Sequence, residues 1–307
     1  MYRATTALRK LVNAGRFLEL PTAHDALTGK LIQSVGFKSL YVGGFVTGGS
    51  TTISEPQLTM TEQIGLAGNI ANGLKIPVVM DAGAGWGEPL HTMRTIRECI
   101  RAGIAGVHIE DQLFPKRAHY HTYVAHNIPI NEYRDKIKLA CVQRDDPNDG
   151  DKDFVIIARS DACREQGYNE AVKRMLVARE AGADMGLIFP RTHKETMNAP
   201  RQCKLPMVYV QSRGNRDNRP LYSNAQLKDM GYAGCIDAIL SVGVQFHFMR
   251  RALLEIKKTS DYTGMTPQEW VTARHDIETL IGLEEHYKIE RETVEKVYYA
   301  SKKKPRK

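Results

Sequence analysis

Short apolar runs of strand length alternate along the chain with longer segments in which apolar residues recur at helical spacing. The runs occupy residues 17–20, 39–42, 78–81, 106–110, 155–159, 185–189, 207–211 and 235–240. The helical segments include residues 25–35, 61–74, 90–102, 170–181 and 224–230. Runs that are apolar throughout are typical of parallel strands covered by helices. Eight such units predict an α/β fold, a (β/α)8 TIM-type barrel rather than an open sheet.

Beyond the eighth run, the chain predicts more helix than a barrel needs. Residues 244–258 have an apolar side, Thr266 and Pro267 have the residue types of a helix start, and residues 283–299 form a charged helical segment. We therefore expect a barrel over residues 1–260 and a C-terminal helical extension over 261–300 that contacts another subunit. Residues 301–307 are expected to be a basic disordered tail.

Length and composition allow one main domain with a large core. The 307 residues are 42% hydrophobic, and no window approaches the ~18 unbroken apolar residues of a membrane span. The N-terminal residues lack the apolar core of a signal peptide, so we expect a soluble, cytoplasmic protein without a membrane partner. The five cysteines are scattered and odd in number, which disfavours a disulfide framework or a thiolate zinc site.

The net charge of +8 is concentrated at the C-terminus. Five of the positive charges lie in the last six residues, so the remainder of the chain is only mildly basic. No recognition motif or basic stripe with interleaved aromatic residues occurs, and we expect no nucleic-acid partner. A modest positive bias also suits an enzyme whose substrates are small polyanions.

Two of the predicted strands end in carboxylates. Asp81 precedes a turn with three glycines, and Glu110 and Asp111 follow the next strand. Such acids can converge on one cation, or each can cap the turn that follows it. The active sites of barrels lie at the C-terminal ends of the strands. The candidates at those ends are Tyr41, Gly43, Gly44, Asp81, Glu110, Asp111, Arg159, Asp161, Gln211 and Ser212.

Three loops at the same end are unusually long. Residues 43–59 contain Glu55, many hydroxyls and several glycines, as expected of a mobile loop that approaches a phosphate or carboxylate. Residues 212–221 are rich in arginine. Residues 112–129 have the titratable groups of a lid over a polar ligand, with a solvated basic loop as the alternative. This lid contains Lys116, Arg117, His119, Tyr120, His121 and His126.

Six short motifs in order resemble the isocitrate lyase and phosphoenolpyruvate mutase superfamily, from about residue 8 to residue 287. They are residues 23–27, Tyr41 with Gly43 and Gly44, Asp81 with Gly85 and Gly87, and residues 109–112, 157–162 and 180–184. The resemblance is to the lyase and oxaloacetate decarboxylase-like branch. It implies a magnesium-dependent enzyme, with manganese as an alternative ion, that acts on α-keto or α-hydroxy acids through an enolate. It also implies homotetramers with exchanged helices.

The resemblance implies roles for individual residues. Asp81 would bind the metal directly and contact the substrate, and Glu110 would hold the metal or its waters. Glu55 stands where many members have an aspartate, and it is counted with the metal ligands.

Other roles follow from the same resemblance. The backbone of Gly43 and Gly44 would cradle the α-carboxylate, Arg159 would pair with a carboxylate, and Tyr41 would neighbour the reacting oxygen. Apart from the resemblance, Gln211 and Ser212 are candidate substrate-binding residues because they lie at the C-terminal end of the seventh strand. The lid supplies Lys116, His119 and His121 as candidate catalytic residues.

The chain departs from the family pattern at three places. Gly83 replaces a second aspartate after the third strand, Ala118 replaces the lid cysteine of the lyases, and residues 189–192 lack the glutamate common after the sixth strand. Without a thiol acid, isocitrate or methylisocitrate cleavage by the usual route is not expected.

We therefore favour a magnesium-dependent carbon–carbon lyase or decarboxylase of small di-acids, in which His119 or His121 protonates the enolate. One alternative is a phosphonopyruvate-type mutase or hydrolase, with Lys116, Arg117, Arg213 and Arg216 around a phosphoryl group. Another is a keto-acid-binding or scaffold barrel without turnover.

Overall fold

The computed structural model describes residues 2–118 and 121–302. Eight strands form one parallel sheet in the order β1-β8-β7-β6-β5-β4-β3-β2. The strands are β1 Leu18–Pro21, β2 Leu40–Val42, β3 Val78–Asp81, β4 Gly106–Glu110, β5 Val155–Ser160, β6 Met185–Ile188, β7 Met207–Gln211 and β8 Gly234–Asp237.

Helices alternate with these strands along the chain. They are α1 Ala4–Asn13, α2 Ala26–Ser34, α3 Gly44–Thr51, α4 Met60–Asn72, α5 Pro89–Arg101, α6 Ile130–Arg144, α7 Tyr168–Glu180, α8 His193–Cys203, α9 Asn224–Asp229, α10 Leu240–Thr259, α11 Pro267–Leu280, α12 Leu283–Glu292 and α13 Val294–Lys302. A 3-10 turn covers Glu55–Gln57.

The sheet closes between its first and second strands. Thr22 and Tyr41 form a parallel bridge just beyond β1, and the backbone N–H of Ala23 donates to the carbonyl of Tyr41 at 2.9 Å. With β1 paired to β8 on its other side, every strand has two neighbours. The predicted (β/α)8 barrel with extra C-terminal helices is confirmed.

Alternation along the strands separates the barrel interior from the layer under the helices. On β3, Val79 packs with residues of the interior, whereas Val78 and Met80 pack with the helices. Side chains two residues apart share a face of a strand, so Asp81 lies on the same face as Val79. The interior face therefore ends in a carboxylate at the rim.

Several boundaries differ from those expected. The 43–59 loop contains α3 and the 3-10 turn, because the backbone folds back so that Ile53 N donates to Gly48 O at 2.9 Å. The eighth strand ends at Asp237, and the next helix begins at Leu240. The segment 283–299 is two helices, since the helical backbone is interrupted at Thr293.

The chain divides into two compact units, residues 1–245 and 246–307. Across the described residues, no helix combines the length and the apolar character needed to cross a membrane. Helix α13 ends at Lys302 and so includes the first two residues of the tail expected over 301–307, whereas residues 303–307 lie outside the described residues.

Candidate active site

A cavity of about 210 Å³ lies among the loops that follow the strands. Many of the sequence candidates line it together, although they come from distant parts of the chain. The candidates in its wall are Tyr41, Gly43, Gly44, Glu55, Asp81, Arg159 and Ser212. The barrel brings them together because parallel strands present their C-terminal ends at the same rim.

Three buried residues on adjacent strands can share one cation. The ligand atoms of Asp81, His108 and Glu110 all lie within 4.8 Å of one another. The strand register explains this, because Asp81 is the partner of His108 and Glu110 is the partner of Arg159. The two carboxylates are donors that Mg²⁺ or Mn²⁺ prefers, whereas the imidazole is a nitrogen donor more typical of other divalent ions.

Glu110 carries the clearest sign that a cation belongs here. Its side chain is fully buried, and neither carboxylate oxygen accepts a hydrogen bond. Its Oε2 lies 3.0 Å from a guanidinium nitrogen of Arg159 and 3.6 Å from Nζ of Lys116, and burial raises the pKa of Glu110 to about 8. A buried carboxylate whose oxygens accept no hydrogen bond is costly even when it is ion-paired, and a metal ion would bind those oxygens. The donor set therefore fits a divalent ion.

Lys116 reaches from the lid into this group of acids. Its ammonium nitrogen lies 2.5 Å from Glu55 Oε1 and 2.9 Å from Asp81 Oδ2. Burial alone would lower the pKa of Lys116, but Asp81, Glu110 and Glu55 outweigh it and raise that pKa. Lys116 in turn helps to hold the pKa of Asp81 well below its usual range against the effect of burial. The lysine and these carboxylates thus form one charged cluster.

The turn after β3 fixes the carboxylate of Asp81. The backbone N–H of Gly83 donates to Asp81 Oδ1 at 2.7 Å, and Gly83 adopts a φ of 52°, which favours glycine. A Cβ at Gly83 would lie 3.3 Å from Cδ of Lys116. The stem of Lys116 therefore fills space beside the position where the family has its second aspartate.

Gly44 permits a close approach within the loop that follows β2. A Cβ there would lie 2.6 Å from Cγ of Glu55, so any side chain would displace that acid. Its backbone N–H donates to Asp81 Oδ2 at 3.3 Å. The start of α3 thus helps to orient the acid of β3.

Tyr41 and His108 form a buried pair at the base of the cavity. The hydroxyl of Tyr41 hydrogen-bonds to Nε2 of His108, and the two rings stack with centroids 5.6 Å apart. Burial, followed by the nearby charge of Asp81, raises the pKa of Tyr41 well above its usual value. Burial lowers the pKa of His108 to about 3, although Asp81 opposes this shift. Near neutral pH, Tyr41 is a neutral phenol and His108 a neutral imidazole.

Arg159 is oriented from two sides. Its Nε and Nη2 donate to the two carboxylate oxygens of Asp161 at 3.1 and 3.0 Å, and its guanidinium lies 4.8 Å from the ring centroid of Phe189. The hydroxyl of Tyr133 donates to its backbone carbonyl at 2.8 Å. Asp161, Glu110 and Asp81 raise the pKa of Arg159 against the effect of burial. A permanent, aimed positive charge therefore faces the cavity.

Other sequence candidates lie away from the cavity wall. Gln211 hydrogen-bonds through its amide to the backbone of Tyr222 and so ties the 212–221 loop to β7. His121 accepts a hydrogen bond at Nδ1 from the backbone of Ala118 at 3.2 Å, and burial lowers the pKa of His121. His119 lies outside the described residues.

Asp111 supports the loops instead of joining the cluster of acids. It accepts hydrogen bonds from Ser160 Oγ at 2.6 Å and from the backbone of Asp161 at 2.9 Å, and it pairs with Arg174 at 3.1 Å. Of the two roles considered for acids at strand ends, metal binding or support of the following loop, Asp111 has the second.

His108 was missed as a site residue in the sequence. A histidine in an apolar strand is readily taken as a core residue. The sequence did contain a signal for it. His108 and Glu110 are two residues apart on β4, so their side chains must point to the same face of the strand.

The fold and this acidic centre define a barrel enzyme with a charged, cation-compatible site. The family described as phosphoenolpyruvate phosphomutase matches residues 8–257. The chain is 31% identical to 2,3-dimethylmalate lyase of Eubacterium barkeri over 92% of this chain and 96% of that protein. It is 30% identical to a probable 2-methylisocitrate lyase of Corynebacterium glutamicum, over 85% and 84% of the two chains.

Solved structures agree. A crystal structure of 2,3-dimethylmalate lyase, described as a PEP mutase/isocitrate lyase superfamily member, has a TM-score of 0.84 and 28% identity, covering 95% of this chain and 96% of that chain. Oxaloacetate acetylhydrolase with 3,3-difluorooxalacetate has a TM-score of 0.85 and 26% identity, covering 94% and 97%. The chain belongs to the phosphoenolpyruvate phosphomutase family, within the isocitrate lyase/PEP mutase superfamily. The prediction of an enzyme of this superfamily, a lyase, is confirmed.

Proposed function

We propose that the chain is a Mg²⁺-dependent lyase or decarboxylase that breaks a carbon–carbon bond in a small α-keto or α-hydroxy di-acid through an enolate. One observation carries the proposal. The acids Asp81 and Glu110 and the guanidinium of Arg159 converge beside a single cavity. Such a site can neutralise both a substrate carboxylate and the charge that develops on an enolate.

Asp81, Glu110 and His108 would hold the ion. Glu55 is a further carboxylate nearby, because Lys116 contacts both Glu55 and Asp81. When bound, Mg²⁺ supplies positive charge that stabilises negative charge on the α-oxygen of the substrate. Burial raises the pKa of Glu110, and a divalent ion beside it would oppose that shift by favouring the ionised form that binds metal.

Arg159 would bind a substrate carboxylate through paired N–H donors. Asp161 and Phe189 hold its guanidinium, so little side-chain entropy is lost when a carboxylate binds. The backbone at Gly43 and Gly44, at the start of α3, would receive the α-carboxylate. Ser212 lines the same cavity and would contribute a hydroxyl.

The reaction needs two proton movements. In an α-hydroxy acid, a base takes the hydroxyl proton, the carbon–carbon bond breaks, and its electron pair forms an enolate that an acid protonates. In an α-keto di-acid, loss of CO₂ from the carboxylate β to the carbonyl leaves a different enolate, that of the keto acid product, which an acid protonates in the same way. Tyr41, which stays protonated because its pKa is raised, would donate a hydrogen bond to the α-oxygen.

The remaining wall of the cavity is apolar and favours an alkyl-substituted substrate. Phe45, Val210, Ile236 and Ile239 line it beside the charged residues. Alkyl groups gain about 0.8 kcal/mol per buried methylene in such surroundings. 2,3-Dimethylmalate, the substrate in the name of one relative, has methyl groups as well as two carboxylates.

A substrate panel tests the proposal. Purified protein would be assayed for release of a keto acid or CO₂ from 2,3-dimethylmalate, oxaloacetate and methylisocitrate, with Mg²⁺ and with a chelator. We expect Mg²⁺-dependent turnover of an alkyl-substituted malate or of oxaloacetate, and little from methylisocitrate. If none of these di-acids is turned over while phosphonopyruvate is, the alternative below replaces this proposal.

The second candidate is a phosphonopyruvate-type mutase or hydrolase. Arg213 and Arg216 line the same cavity as Arg159, and their guanidinium groups suit a phosphoryl dianion. A phosphoenolpyruvate phosphomutase from Streptomyces platensis subsp. rosaceus shares 26% identity and a TM-score of 0.83, covering 95% of this chain and all of that chain.

A further inference from the structure

A second, smaller cavity lies beyond the wall of the first. Ala118 and Phe189 line both cavities and so separate them. The second has a volume of about 20 Å³, enough for a group the size of a carboxylate or a water molecule. Its lining includes Arg117, Arg164 and Arg191.

The acids beside this second cavity do not balance its arginines. Asp161 lines it but already binds Arg159 through both carboxylate oxygens. Asp217 also lines it, and one oxygen of Asp217 lies 3.2 Å from Arg191 and 3.6 Å from Arg219. Positive charge is therefore in excess.

Arg219 lies directly behind this wall. Its guanidinium is 4.8 Å from the ring centroid of Phe189, its side chain is 2% exposed, and none of its three nitrogens has a hydrogen-bond partner. Burial lowers the pKa of Arg219, and Tyr209 and then Asp217 offset this effect only in part. Arg174, another buried arginine, instead donates to two carboxylates, an amide and a backbone carbonyl.

We propose that the second cavity binds a small carboxylate, with Arg191 in its wall and Arg219 behind it as the countercharges. A buried guanidinium without hydrogen bonds is costly, and an anion beside it would reduce that cost. Guanidinium groups match carboxylates in shape and charge, and the small volume favours a single carboxylate.

The carboxylate has two possible sources. It is either the distal group of a di-acid in the first cavity, which requires Phe189 to rotate, or a free carboxylate. The first source rests on the proposed function, whereas binding of a free carboxylate can be measured without turnover. Failure of the proposed function can thus be distinguished from failure of the proposed carboxylate site.

Calorimetric titration with acetate tests the site. The full chain would first be saturated with Mg²⁺ and oxalate, so that acetate cannot enter the first cavity. We expect saturable binding of one acetate, weakened at least tenfold in Arg219→Met. The control Arg179→Met removes an exposed arginine of α7 and should bind acetate as the wild type does.

Thermal unfolding provides a second readout. Without acetate, Arg219→Met should melt no lower than the wild type, because it removes a buried guanidinium that makes no hydrogen bond while Asp217 keeps its ion pair with Arg191. Acetate should raise the melting temperature of the wild type only. If Arg219→Met does not fold, Arg191→Gln enters the same titration, and unchanged acetate affinity there counts against the site.

Succinate identifies the source. If succinate displaces oxalate and acetate together, the second cavity receives the distal carboxylate of a di-acid. If acetate binding is indifferent to succinate, the site takes a free carboxylate. Both results support a carboxylate site. The proposal is overturned if the wild type shows no saturable acetate binding, or if Arg219→Met binds acetate as tightly as the wild type.

Discussion

The ammonium nitrogen of Lys116 lies 2.9 Å from Oδ2 and 3.1 Å from Oδ1 of Asp81, and both side chains are buried. A residue of the lid is thus ion-paired with the acid proposed to bind the metal. Both positive charges would neutralise the same carboxylates, so the lysine and a divalent ion compete electrostatically. A variant without Lys116 should therefore depend on the metal ion for its stability.

The variant Lys116→Met tests this dependence. Removing one partner of a buried ion pair typically costs about 3–5 kcal/mol, so in a chelator the variant should melt several degrees below the wild type. Saturating Mg²⁺ should return about 2.7 kcal/mol at a hundred times its Kd. Calorimetry should also show tighter Mg²⁺ binding than in the wild type.

Lys136→Met is the matched control for that experiment. Lys136 is also buried, and its ammonium donates to the carbonyl of Ala84 at 2.9 Å. Its charge acts on Glu110, but among the described residues it forms no ion pair with Glu55, Asp81 or Glu110, as Lys116 does. Its loss should lower the melting temperature without making it more responsive to Mg²⁺. Equal Mg²⁺ responses in both variants would show that Lys116 does not compete with the metal.

The metal assignment predicts different behaviour for two acids. Asp81→Ala should lower kcat by about a thousandfold and stay inactive at high Mg²⁺, yet remain folded because Glu55 and Glu110 still balance Lys116. Glu110→Gln keeps the shape of the side chain but loses its charge, so excess Mg²⁺ should partly restore its activity.

Asp184→Ala serves as the control acid for these measurements. Asp184 precedes β6 and pairs with Arg9 and Arg144, among residues that do not line the cavity. This variant should be less stable but should bind Mg²⁺ normally. Turnover by Asp81→Ala at saturating Mg²⁺ would refute the role of Asp81 as a ligand.

Much of this site follows from the sequence because its residues end strands. Asp81 and Arg159 are read directly from apolar runs that stop at a charged residue, and a parallel barrel brings such ends together. The ends of the strands can be located in the sequence without knowing how the loops fold. For the same reason the barrel itself was predictable from the spacing of its runs.

The position of Lys116 could not be predicted in this way. It depends on how the lid folds over Gly83 and on the distance to Glu55, neither of which has a periodic signal. Arg219 is similar, since a polar loop residue is expected to be exposed, whereas here it is buried behind Phe189. Loop conformation is decided by tertiary contacts, not by local pattern.

The C-terminal helices should form a subunit contact. No residue of α10, α11 or α12 is buried within the single chain. Large apolar side chains on α10 are 44–69% exposed, and a patch of this kind marks an interaction surface. They are Phe246, Phe248, Met249, Leu253, Leu254 and Ile256. Light scattering should give a mass near four times 34.5 kDa, the tetramer expected from the family resemblance.

Substitutions within this apolar patch test whether it forms the subunit contact. Phe248→Asp with Leu253→Asp should shift the mass towards the monomer, because a carboxylate is costly to bury in an apolar contact. Lys258→Asp, an exposed change on the same helix, should leave the mass unchanged. A wild-type protein that is monomeric at micromolar concentration would contradict the proposed contact.

The final prediction concerns the lid position that distinguishes this chain from the cysteine-bearing lyases. Ala118 is 4% exposed and lines the cavity, so a thiol there would face the substrate. Ala118→Cys should nevertheless not create cleavage of isocitrate or methylisocitrate, because a thiol acid also needs neighbours that set its pKa and direction. The variant should be assayed on both acids beside the wild type, and clear new cleavage would show that this single position controls the chemistry.

The same lid tests whether an imidazole delivers the proton. His121 is a weak candidate in this structure, because its Nδ1 accepts a hydrogen bond from Ala118 and burial lowers its pKa. We therefore expect His121→Ala to raise KM by several fold through loosening of the lid, with kcat and its pH profile retained. A lowered kcat with loss of one limb of the pH-rate profile would instead make His121 the acid. If kcat is retained, proton delivery falls to water or to Tyr41, whose raised pKa keeps it protonated across the working range. Tyr41→Phe should then lower kcat by about 10²–10⁴, the usual contribution of a positioned acid.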